Sequence, residues 1–187
     1  MLISVQDVKE FLGIIPTTDD HAIMPLCQVA QNQADKYCDR TLEGSTFVEF
    51  HDGNGMDIID LRSYPIKSVT SIYDDWDRVY GADTLIASSD YTVNNDWGYI
   101  TLIGFTTIKA VNNIKVTYLG GYNGIGEDDF TALPYDLKQA LVYLASAMYI
   151  ESKAGVNVFE GQGIVYRPTY LKTEAEKILE KYRRVMV

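Results

Sequence analysis

The chain is short of the residues that usually carry chemistry. His21 and His51 are its only histidines, and Cys27 and Cys38 its only cysteines. Neither histidine has a metal-ligand spacing, and only distant cysteines could complete a zinc site, so no metal is expected. The cysteines lie eleven residues apart, about three helical turns. They can share one buried helix face but cannot join within a straight helix, and they read as reduced core residues. No apolar run reaches the length of a membrane-spanning helix. Met1-Leu2-Ile3-Ser4 carries neither the basic leader nor the apolar stretch of a secretory signal. No Gly-x-Ser-x-Gly or cysteine–histidine arrangement occurs. The glycines from Gly120 to Gly126 follow a strand pattern without the lysine–serine pair of a phosphate loop, and they read as a flexible strand-to-helix link. The expectation is no catalytic residue, no cofactor and no membrane.

Basic residues are also scarce. Lys and Arg number 16 against 26 Asp and Glu, a net charge of −10 over 187 residues. The imbalance is uneven, for residues 41–130 hold fourteen acids against five bases. The sign reverses at the end of the chain. Arg167, Lys172, Lys177, Lys181, Arg183 and Arg184 face only Glu174, Glu176 and Glu180 there. An acidic body does not bind nucleic acid by charge. A basic tail on that body suits an acidic protein partner, or is a solvated helix whose cations favour its C-terminal dipole. Acids cluster at Asp52-Gly53-Asn54-Gly55-Met56-Asp57 and Asp74-Asp75-Trp76-Asp77 without calcium-loop spacing, so they read as turn chemistry.

Periodicity is abundant. Ser4 caps a stripe of Val5, Val8, Phe11 and Leu12 that stops at Gly13. A longer stripe follows through Ile23, Leu26, Cys27, Ala30, Ala34, Tyr37 and Cys38, with Pro25 predicting a late or bent start. Residues 46–119 then alternate. Six strand segments are expected: 46–50, 56–61, 66–73, 91–93, 99–103 and 114–119. Asp52 to Gly55 reads as a hairpin turn, Asn95 to Gly98 and Asn112-Asn113 as further turns, and 74–88 as an irregular excursion. Pro134 opens a helix whose stripe is Leu137, Ala140, Leu141, Leu144, Ala147 and Met148, with Gly155 as a stop. An ordered loop or extended arm is expected up to Pro168. Thr173 and Glu176 form a capping box for a last helix with Ala175, Ile178, Leu179, Tyr182 and Val185 inside. The fold class is α+β: a bundle of about four helices (1–45 and 120–187, with a C-terminal arm) and an inserted antiparallel β subdomain (46–119).

Several stretches together resemble one family. They are Val5-x-x-Val8-Lys9-x-Phe11-Leu12-Gly13, the Asp19-Asp20 helix start and Ala34-x-x-Tyr37-Cys38-x-Arg40. Leu61-x-x-Tyr64-Pro65-Ile66-x-Ser68-Val69, Asp90-Tyr91-Thr92-Val93 and Val116-Thr117-Tyr118-x-Gly120-Gly121-Tyr122 follow in order. Leu133-Pro134-x-Asp136-Leu137-Lys138-x-Ala140 and Tyr182-Arg183-Arg184 complete the set. The arrangement resembles the head–tail connector (adaptor, or head completion) proteins of tailed bacteriophages, in the variant with a β-rich insertion. The resemblance implies a structural virion protein, assembled in the host cytoplasm, that forms a ring of twelve copies under the portal. Such a ring extends the DNA channel, helps retain the genome and docks the next tail or stopper component. Double-stranded DNA would be cargo only. Portal docking is expected from the tail, through Arg167, Tyr170, Lys177, Lys181, Tyr182, Arg183 and Arg184, with 168–187 separable from a folded body. Other readings are a carbohydrate- or surface-binding β module, suggested by Trp76, Trp97 and the tyrosines, and a small hydrolase built on a carboxylate pair.

Overall fold

The computed structural model describes residues 1–14, 19–153, 159–161 and 164–184. Its contacts divide into a helical unit, residues 1–40, 123–128 and 132–184, and a sheet unit of residues 41–122 and 129–131.

The first helix, α1 (Val5–Leu12), starts and stops where its sequence indicates. Ser4 Oγ accepts from the Asp7 N–H at 3.1 Å while Asp7 Oδ2 accepts from the Ser4 N–H at 2.8 Å, a reciprocal cap that uses Asp where Glu is usual. Gly13 closes it in the left-handed region at φ 68°. Helix α2 (Asp20–Cys38) does not start late. Pro25 lies inside it, where the missing N–H removes one bond without ending the helix. Ile23, Cys27, Ala30, Ala34 and Cys38 are fully buried. Burial pushes both thiols up to about 11, so neither supplies thiolate near neutrality. Tyr37, expected in this stripe, is exposed and donates its hydroxyl to Glu180 at 2.9 Å, and Leu26 is half-buried.

Helix α3 (Tyr135–Ser152) is the centre of the helical unit. Leu137, Ala140, Leu141, Ala145, Ala147 and Ile150 are fully buried, and α1, α2 and α4 all pack on it. Pro134 stands at its N-cap, one position before the expected first turn. Helix α4 (Pro168–Leu179) runs into a 3₁₀ turn at Glu180–Tyr182. It begins at Pro168 and not at the Thr173–Glu176 box. Proline at the first turn is already set for a helix, and Thr173 Oγ1 donates back to the Thr169 carbonyl at 3.0 Å. Leu171, Ala175 and Leu179 are buried, Ile178 and Tyr182 half-buried, and Val185 lies outside the described residues.

The sheet unit holds β1 (Ser45–Gly53), β2 (Ile58–Asp60), β3 (Ile66–Asp74), β4 (Tyr91–Asn94), β5 (Tyr99–Leu102) and β6 (Ala110–Gly120). All six expected segments form, but in two antiparallel sheets, β1-β6-β3 and β2-β5-β4. Inward residues of both, among them Ile59, Ile100 and Leu102 on one and Ile72, Ile114, Val116 and Tyr118 on the other, make a small sandwich core. The expected β1–β2 hairpin does not exist, because β1 pairs with β6. Gly53 N–H donates to the Asn113 side chain at 2.7 Å instead. Asn112-Asn113 is no turn either. Asn112 takes φ 52° within β6, where the register of β1 shifts, and Asn113 is fully buried. Its Nδ2 donates to Asp74 Oδ1 at 2.6 Å and to the Ile108 carbonyl at 2.9 Å. Asparagine signals a turn because it tolerates positive φ, and here that tolerance is used inside a strand.

Asn94 to Tyr99 does make the β4–β5 hairpin, with Gly98 at φ 74°. The 74–88 excursion is irregular and pinned. Asp75 accepts N–H bonds from Asp77, Val79 and Tyr80 at 2.9, 3.0 and 2.6 Å. Gly120-Gly121 is packed and not a free link. Gly121, at φ 92°, has no room for a Cβ, which would stand 2.8 Å from the Glu43 backbone. Beside it the two ends of the sheet unit are joined. Gly44 N–H donates to the Tyr122 carbonyl at 2.7 Å, and Tyr122 N–H to the Leu42 carbonyl at 2.8 Å.

The stretch before α4 carries a further antiparallel pair, β7 (Phe159–Gly161) and β8 (Ile164–Tyr166), where no period predicts strands. The Gly155 stop lies outside the described residues.

Candidate functional site

Helix α4 presents the residues expected to dock. Arg167 is exposed at its N-cap, and Tyr170, one turn in, is 61% exposed. Farther along, the cations are engaged within the helical unit. Lys177 pairs with Glu174 at 2.7 Å, Lys181 with Asp136 at 3.6 Å and Arg183 with Glu180 at 3.7 Å. The Tyr182 hydroxyl donates to Asp136, and that bond holds the carboxyl below its usual range. Arg184 donates its backbone N–H to the Cys38 carbonyl at 2.8 Å. The tail is therefore a pattern of alternating signs with an arginine and a tyrosine at its head, and not a bare basic patch. It is not separable, because Leu171, Ala175 and Leu179 are core residues.

The sheet unit conceals a group that the sequence reading missed. Glu49 accepts from the Tyr118 hydroxyl at Oε1 and from the Arg62 N–H at Oε2, 3.1 Å away, and His51 Nε2 stands 3.0 Å from that same Oε2. Tyr118 in turn accepts the Ser63 N–H at 3.0 Å. Burial pushes the Glu49 carboxyl up, but its bonds with His51, Tyr118 and Arg62 bring it below the ordinary value. Burial, then Glu49, pushes the Tyr118 phenol up. Acid, imidazole and phenol together resemble acid–base machinery. However, Tyr118 is fully buried and both sides of its oxygen are used, so the group ties β1 to the 61–64 segment. The signal was ambiguous, since Phe47-Val48-Glu49-Phe50 puts apolar residues on both faces of β1.

The clustered acids bind backbone. Asp52 accepts the Asn112 N–H at 2.7 Å, Asn54 the Met56 N–H at 2.8 Å and Asp74 the Ile108 N–H at 2.8 Å. Among the described residues no three His, Cys, Asp or Glu side chains gather as metal ligands.

A family model described as head completion protein matches residues 1–185. The chain belongs to the head completion protein family. Its role is accordingly structural, in phage-type virion assembly. No curated protein sequence matches this head completion protein. Solved structures share its fold. One, described as the neck of an empty GTA particle computed with C6 symmetry, aligns at TM-score 0.67 and 18% identity over 99% of this chain and 91% of that one. The neck of a native GTA particle computed with C12 symmetry aligns at 0.63 and 20%, over 98% and 89%. The virion of a native gene transfer agent particle aligns at 0.62 and 18%, over 99% and 91%.

Proposed function

We propose that this head completion protein forms a ring beneath the portal, joins head to tail, extends the DNA channel and helps retain the genome within the virion. The family match over residues 1–185 carries this reading. The likeness to neck structures of C12 and C6 symmetry supports a ring of twelve. The acid excess of residues 41–130 suits a channel that DNA must pass without sticking.

Portal docking falls to the head of α4, where Arg167 and Tyr170 are exposed, with Lys177, Lys181, Tyr182, Arg183 and Arg184 continuing the surface. The next tail or stopper component would meet the ring elsewhere. Arg167→Glu with Tyr170→Ala should abolish co-sedimentation with portal rings while the melting temperature stays within a few degrees of wild type. Undiminished portal binding by the double variant would move the interface off α4. Trp76 and Trp97 are 62% and 59% exposed, which keeps the surface-binding reading open to a glycan-binding assay.

A further inference from the structure

We infer that the outer face of α2 is the centre of the contact between neighbouring copies of this chain. The inference rests on the ring reading and specifies the surface that builds it. A chain of net charge −10 repels its own copies, so a contact between copies is most stable where charge is absent. Residues 21–34 contain no Asp, Glu, Lys or Arg. Within them Ala22, Met24, Pro25, Gln28, Val29 and Asn32 are exposed on the side of α2 opposite its buried stripe. Met24 and Val29 leave 54% and 41% of their surface in water, so this uncharged face also presents apolar area.

The other outward helix faces carry charge: Glu10 on α1, and Glu176 and Lys177 on α4. Charges also frame the α2 face. Asp20, paired with Lys9 at 2.8 Å, stands at one end, and Lys36 is exposed at the other. A neutral, partly apolar centre with a charged rim is the usual anatomy of a protein–protein contact. A stable interface covers about 800 Å² per partner, so this face supplies its middle and not its whole extent. Ring closure by rotation makes the contact heterologous, with the α2 face meeting a different patch of the neighbour.

The test uses the full chain with a photo-crosslinking benzoylphenylalanine at position 29, irradiated alone and on portal rings, with adducts identified by mass spectrometry. Chain-to-chain adducts through position 29 are expected. Val29→Glu should weaken self-association about tenfold or more with an unchanged melting temperature, because it places like charge in the contact. Rings that form normally with Val29→Glu, or adducts from position 29 to portal and not to a second copy, would overturn the inference and leave the ring reading standing. A chain whose native mass stays that of a monomer, alone and on portal rings, would overturn both.

Discussion

At Glu49 burial and hydrogen bonding push the carboxyl in opposite directions, and the bonds prevail. A carboxyl whose folded value lies below its ordinary 4.5 stabilises the fold above that pH. The contribution is lost as pH falls through the lowered folded value. Wild type should therefore exceed Glu49→Gln in denaturant midpoint at neutral pH, and the gap should narrow as the solution is acidified below pH 4.5. A gap that does not change with pH would show that the charge of Glu49 contributes nothing. The sequence concealed this residue because alternation alone does not say which face of β1 is inward. It marked Ser4 and Gly13 correctly because capping is local, decided by the residue's own side chain and the next turn. Asn112 and Asn113 misled for the complementary reason. Their local preference is real, but a non-local pairing with β1 and Asp74 recruits it.

Helices and strands differ in how much of their environment is written beside them. In α3 the apolar residues recur on nearly every side, which marks a helix surrounded by others. Leu141→Asp should abolish folding, because it buries an unpaired charge at a fully buried site. A soluble variant with a wild-type cooperative melt would contradict the packing described for α3. Helix α4 belongs to the same core, so Leu171→Ala should cost about 2–5 kcal/mol in chemical denaturation. A cost near zero would restore the idea of a detachable tail. Strand segments were legible from alternation and turn residues, but their partners were not. Register and sheet order depend on contacts far apart in sequence, such as His51 with Ile114, and no local signal encodes them.

For the molecule as a whole, charge decides more than any single residue. Binding to duplex DNA needs several cations to release counterions, and Lys177, Lys181 and Arg183 are already paired with acids. The free protein should give no gel shift with duplex DNA at physiological salt. A shift at micromolar protein that fades steeply with added salt would contradict an acidic channel. The α+β class and the structural role were readable because the order of many weak segments is informative. The surroundings of the tail were less so, since composition reveals its basic residues but not the acids that fold beside them.

The paired ends of the sheet unit carry a different kind of consequence. Leu42, Gly44 and Tyr122 fasten the start of that stretch to its finish, so the rest of the chain sees residues 41–122 as one short bridge. Lengthening a loop costs little conformational entropy, on the order of 0.6 kcal/mol per doubling even without such a clasp. What lies beyond the clasp can therefore be lengthened or trimmed with little entropic penalty to the helices that flank it.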